Sequence, residues 1–126
     1  MSDNAQPILQ AEHLGITFGG LKAVSDFTMT INKGELVGLI GPNGAGKTTV
    51  FNLLTGVYRP TEGEFRLDGE RMNGKKTYQV VRAGIARTFQ NIRLFKQLTV
   101  EENVLVAFDR SFSYRMGGAI LRLPAF

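Results

Sequence analysis

Lys47 sits inside Gly41-Pro42-Asn43-Gly44-Ala45-Gly46-Lys47-Thr48-Thr49, a run that fits G-x-x-x-x-G-K-[ST] at every fixed position. Each residue type meets a physical demand. Gly44 and Gly46 admit backbone conformations closed to residues with a β-carbon, so successive N–H groups can point into one concavity. Those donors fall in the first turn of a helix, where they lack intrahelical partners and face the positive end of the helix dipole. An anion placed there gains charge-assisted bonds. Lys47 adds a mobile full charge for the β- and γ-phosphates, Thr48 offers a hydroxyl to Mg²⁺, and Thr49 is placed to donate to the α-phosphate. The chemistry implied is the cradling of a nucleoside triphosphate. The glycines run G-x-x-G-x-G, which disfavours a dinucleotide-binding turn. The bland alternative is a glycine-rich turn with an incidental Lys-Thr, and the flanking elements speak against it.

Such a loop needs a strand before it and a helix after it. Leu36-Val37-Gly38-Leu39-Ile40 lacks alternation and reads as a strand covered on both faces. Thr49 to Thr55 reads as a helix closed by Gly56. Upstream, Ile8–Phe18 and Val24–Ile31 alternate apolar and polar residues between turn signals, the pattern of half-buried antiparallel strands. Downstream, Glu64–Leu67 reads as a short strand ended by the turn Asp68-Gly69. Thr77–Ala83 is expected as a helix stopped by Gly84, and Ile85–Phe89 as a strand leading into Gln90-Asn91. Thr99-Val100-Glu101-Glu102 has the form of a capping box and opens a helix through about Asp109. From Arg110 to Phe126 no clear period emerges.

The chain has 126 residues, 43% of them hydrophobic, which suffices for the core of one modest domain. Lys and Arg exceed Asp and Glu by a net +4, but the positive residues are scattered and no basic–aromatic stripe appears. Nucleic acid is therefore not an expected partner. Without cysteine there is no disulfide, thiolate metal site or Cys nucleophile. Met1 to Pro7 is polar and is not expected to act as a signal peptide. The longest apolar runs fall far short of the ~20 residues of a spanning helix.

With the loop, its flanking strands and Gln90 in view, the chain resembles the ATP-binding subunits of ATP-binding-cassette (ABC) transporters. GPNGAGKTT is a loop spelling frequent in that family. Within it, Phe18-Gly19-Gly20-Leu21-Lys22-Ala23-Val24, Thr49-Val50-Phe51-Asn52 and Arg87-Thr88-Phe89-Gln90-Asn91-Ile92-Arg93-Leu94-Phe95 look like the bacterial branched-chain amino acid importers. Urea importers and some lipid exporters have similar subunits.

The resemblance implies an α/β P-loop NTPase core with an N-terminal antiparallel β subdomain and the start of a helical subdomain. Residues 8–35 would be mainly antiparallel β, 36–56 the strand–loop–helix unit, and 85–126 the strand before Gln90 with the start of the helical subdomain. It implies that ATP and Mg²⁺ are the ligands, held by Gly41, Pro42, Asn43, Gly44, Ala45, Gly46, Lys47, Thr48 and Thr49. Phe18 takes the place of the aromatic that stacks on adenine. Gln90 takes that of the glutamine that touches Mg²⁺ and the attacking water, and it relays nucleotide state to the membrane subunit. Arg93-Leu94-Phe95 with Leu98 to Asn103 looks like the entry to the helical subdomain. Implied partners are transmembrane permease subunits, a second ATP-binding subunit and, indirectly, a periplasmic solute-binding protein. The implied location is peripheral, on the cytoplasmic face of the inner membrane. His13, the only histidine, reads as structural.

Hydrolysis also needs a Mg²⁺-binding carboxylate at the end of an apolar strand and a group that orients water. The family supplies an Asp-Glu pair and a Ser-Gly-Gly signature, and this sequence contains neither. Val104 to Asp109 imitates the apolar-run-plus-Asp pattern, but Arg110 follows and the capping box makes the run helical. Asp68 is a second decoy, since it starts a turn. The expectation is therefore the N-terminal portion of a longer ATPase subunit, unable to turn nucleotide over alone. The alternatives are a catalytically silent nucleotide-binding fragment and a small P-loop kinase or GTPase. Asn73-Gly74-Lys75-Lys76 lacks the Asp of a guanine-reading motif, which weakens the last of these.

Overall fold

The computed structural model describes residues 6–108. They belong to two compact units that divide between residues 88 and 89. The first unit is built on a hairpin of β1 (Leu9–Phe18) and β2 (Leu21–Ile31), paired antiparallel. Gly19 and Gly20 join them with φ of 49° and 87°. Positive φ at both turn residues suits the right-handed twist of a tight hairpin. β2 thus begins at Leu21, earlier than the alternation from Val24 suggests. β3 (Glu62–Leu67) pairs antiparallel with the other edge of β1, and β4 (Glu70–Arg71) follows through Asp68-Gly69, giving the order β2-β1-β3-β4. The turn expected at Asp68 is present.

Strict alternation breaks twice in the hairpin. Glu12 and His13 are exposed in succession on β1, as are Ser25 and Asp26 on β2, and the pairing register shifts at each place. These are β-bulges, in which two residues oppose one and the pleat is re-phased. His13 (φ 49°) and Asp26 (φ 52°) both adopt left-handed backbone there. The His13 Nδ1 meets the Asp26 carboxylate, and the His13 N–H donates to Thr28 Oγ1 at 3.1 Å.

The covered sheet face carries Ala11, Leu14, Ile16 and Phe65. Against it pack Leu53 of α1 (Lys47–Leu54) and Val80 of α2 (Thr77–Ala83), both fully buried. α2 ends at Gly84, as its sequence indicates. Asn73 secures β3 by accepting the Phe65 N–H at 2.9 Å and donating to the Gly63 carbonyl at 3.0 Å.

Two expected strands are not formed. Residues 36–40 and 85–89 have no strand pairing among the described residues, so 36–56 is loop–helix rather than strand–loop–helix. Likewise, the segment before Gln90 is irregular. A run apolar on both faces forms a central strand only where hydrogen-bonding neighbours flank it, and the described residues provide none. Leu36 and Ile40 are accordingly 99% and 95% exposed, while Leu39 and Ile85 still rest against the core.

In the second unit, α3 (Val100–Phe108) starts at the expected capping box. The Thr99 N–H donates to Glu102 Oε2 at 2.7 Å, and the Glu102 N–H donates to Thr99 Oγ1 at 3.2 Å. Asn103 accepts the Phe95 N–H at 3.0 Å and donates to the carbonyls of Phe95, Leu98 and Thr99. Asp109 and the stretch Arg110 to Phe126 lie outside the described residues. No helix among the described residues is long and apolar enough to cross a membrane.

Candidate functional site

The site forms where β2 meets the loop that opens α1. The Ala45 N–H donates to the Pro42 carbonyl at 3.2 Å, closing a tight turn. Gly44 (φ 84°) and Gly46 (φ 91°) then take the left-handed conformation, which costs a residue with a β-carbon about 1–2 kcal/mol. Gly46 is the N-cap of α1 and has no side chain with which to seal it. The first intrahelical bond runs from the Val50 N–H to the Gly46 carbonyl at 2.9 Å. The N–H groups of Lys47, Thr48 and Thr49 precede that bond and have no intrahelical partner. Helix starts of this kind are ordinarily sealed by Ser, Thr, Asp or Asn. This one is open, and no acidic residue stands in its first turn.

A pocket of about 380 Å³ is lined by this helix start. Asn43, Gly44 and Gly46 to Thr49 form its loop side, and Leu21, Lys22 and Ala23 of β2 its strand side. Its lining includes Lys22 and Lys47 and no acidic side chain. Gly41, Pro42 and Ala45 shape the loop from outside the lining. The Lys47 ammonium folds back over them, donating to the Gly41 carbonyl and to the Pro42 carbonyl at 2.8 Å. A cation parked on neutral carbonyls can exchange them for charged oxygens at little cost, since bonds between two charged groups are the stronger ones. Open amides, hydroxyls at Thr48 and Thr49 and a movable ammonium together suit a polyphosphate.

The donor set also suits Mg²⁺ held through phosphate. No cluster of His, Cys, Asp or Glu able to hold a metal occurs among the described residues. Mg²⁺ commonly keeps several waters and takes only one or two protein ligands beside substrate phosphates, and the Thr48 hydroxyl is a candidate for one of them.

Phe18 and Gln90 are not among the residues that line this pocket. Phe18, at the end of β1, is 43% exposed and stands outside the pocket lining; its ring meets that of Tyr58 edge to face at 5.1 Å. Gln90 belongs to the second unit, where it is exposed at a bend. Two features escape the sequence reading. The strand side of the pocket is one, because β2 reads from Val24 unless the two-residue glycine turn is taken as fixing its start. Arg87 is the other: it donates to Asn52 Oδ1 at 2.7 Å and to Thr55 Oγ1 at 3.3 Å, holding the segment after α2 to α1.

A family model described as ABC transporter matches residues 24–124. The chain belongs to the ABC transporter family. This ABC transporter chain is 48% identical to the high-affinity branched-chain amino acid transport ATP-binding protein BraF of Pseudomonas aeruginosa, over 97% of its own length and 48% of that protein's. It is 45% identical to the corresponding protein LivG of Escherichia coli over the same shares. It thus spans about half the length of these curated relatives. Among solved structures it is similar to the ADP conformation of an ATP-binding cassette of an ABC transporter (TM-score 0.75, 30% identity, 94% of this chain and 46% of that one). A nucleotide-free ATP-binding cassette matches with a TM-score of 0.73 at 30% identity, over 95% of this chain and 47% of the other. The α/β fold is therefore that of ABC ATP-binding cassettes.

Proposed function

We propose that this ABC chain is the nucleotide-cradling portion of a subunit that couples ATP binding and hydrolysis to import of a small solute, branched-chain amino acids above all. The observation that carries the proposal is the unsealed start of α1, where Lys47, Thr48 and Thr49 line a pocket that has no acidic residue in its lining. Their amides and the helix dipole hold the phosphates, and Lys47 leaves the Gly41 and Pro42 carbonyls to follow them. Thr48 would hold Mg²⁺ through its hydroxyl, and the ion would offset phosphate charge there. Phe18, already exposed at the end of β1, stacks on adenine. For Gln90, the family resemblance supports a role in touching Mg²⁺ and the attacking water. The names of BraF and LivG support the choice of solute.

On this reading the partners are transmembrane permease subunits, a second ATP-binding subunit and, indirectly, a periplasmic solute-binding protein. The subunit sits on the cytoplasmic face of the inner membrane. These 126 residues hold no Asp-Glu pair or Ser-Gly-Gly signature, so they bind nucleotide and do not turn it over alone. Calorimetric titration of the chain with MgATP and MgGTP tests the reading. Saturable binding with preference for MgATP is expected. A folded sample with no affinity for any nucleoside triphosphate would overturn it.

A further inference from the structure

We propose that Lys22 is a second phosphate-binding cation of the pocket, presented by β2 and held ready by Glu62 of β3 across a notch at Gly15. This inference rests on the nucleotide-cradling reading above. Lys22, the second residue of β2, stands opposite Thr17 and lines the strand side of the pocket whose loop side carries Lys47. Its Nζ lies 3.1 Å from Glu62 Oε2 and 3.3 Å from Oε1. β2 and β3 are not neighbours, because β1 runs between them. The ion pair must therefore pass over the middle strand, and Gly15 is where it can. A β-carbon there would stand 3.2 Å from Glu62 Oε2 and 3.1 Å from the Val24 carbonyl oxygen, tighter than such contacts normally run.

The approach of β3 at this point is itself fixed. The Thr61 N–H donates to the Gly15 carbonyl at 2.9 Å, and the Thr17 N–H donates to Thr61 Oγ1 at 3.1 Å. Glu62 consequently restrains a side chain that would otherwise sample many rotamers. Both partners are about half exposed, at 44% and 53%. Exposed pairs of this kind contribute little, so Lys22 can leave Glu62 for a more highly charged acceptor. A polyphosphate gripped by the start of α1 is such an acceptor, met from the loop by one ammonium and from the strand by another.

The test is titration of MgATP and of magnesium tripolyphosphate into the chain, its Lys22→Gln variant and its Lys22→Arg variant, at low and physiological salt. Lys22→Gln is expected to bind both ligands about fivefold to tenfold more weakly and with a shallower salt dependence, because one ammonium fewer is screened. Lys22→Arg, which keeps the charge, is expected to bind as the wild type does. Equal affinity and equal salt dependence for Lys22→Gln and wild type would overturn this inference and leave the nucleotide site standing. So would a Lys22→Arg protein as weak as Lys22→Gln. A wild-type chain that binds neither ligand would overturn the nucleotide-cradling reading, and this inference with it.

Discussion

A β-carbon on Gly46 would stand 2.9 Å from the carbonyl oxygen of Ala23, so the loop and β2 touch backbone to backbone. Gly46 and Ala23 both line the pocket, together with Lys22 and Thr48. Gly46 also holds φ 91°, so alanine there would meet both a clash and an unfavourable conformation. Gly46→Ala is expected to destabilise the first unit by about 1–3 kcal/mol and to weaken MgATP binding. Gly38, with no neighbour within 4 Å and no positive φ, is the control. Gly38→Ala should stay within about 0.5 kcal/mol of wild type in urea denaturation. Equal midpoints for the two variants would contradict the contact.

Lys47 donates to two loop carbonyls, one exposed and one half-buried, so its loss strands no fully buried acceptor. The cost should thus appear in binding more than in folding. Lys47→Ala is expected to lose about 1.5–3 kcal/mol of MgATP affinity, the value of a bond to a charged group. That is roughly tenfold to hundredfold by calorimetry, with a thermal midpoint close to wild type.

Asn103 ties the segment before α3 to the helix by accepting one N–H and donating to three carbonyls. Asn103→Ala is expected to open residues 95–99 locally, at a cost of about 1 kcal/mol per net bond removed. Amide exchange at Phe95 should speed up roughly tenfold or more, with the amides of β1 unaffected. Unchanged exchange at Phe95 would show that the segment is held by something else.

The Asp26 carboxylate, hydrogen-bonded to His13 and adding its negative charge, raises the imidazole pKa above its usual 6.5. A group whose folded value lies above its unfolded value stabilises the fold fully below the unfolded value. The contribution is lost as pH rises through the folded value. His13 is the only histidine, so one imidazole resonance followed by NMR reports it directly. Asp26→Asn should return the midpoint to the ordinary range and remove this part of the pH dependence. A midpoint that Asp26→Asn leaves unmoved would rule out the pairing.

Much of this structure is legible in the sequence because its signals are local. The capping box at Thr99, the stop at Gly84, the turn at Asp68-Gly69 and the left-handed glycines of the loop each follow from a few neighbouring residues. The bulges at His13 and Asp26 are not legible, since an exposed pair inside a strand looks like noise until its partner strand is placed. Lys22 is hidden for the same reason: its role depends on Glu62, two strands away, and on the gap at Gly15. The segments at 36–40 and 85–89 mislead in the other direction. Leu36-Val37-Gly38-Leu39-Ile40 has the composition of a central strand, but pairing is a property of neighbours and not of composition.

That unpaired run at residues 36–40, with Leu36 and Ile40 exposed, has a practical outcome. An uncharged, β-forming stretch with free amides and carbonyls is adhesive, and its first takers in a test tube are other copies of itself. Concentrated stocks of these 126 residues should grow turbid with time, and charged residues placed at 36 and 40 should keep them clear.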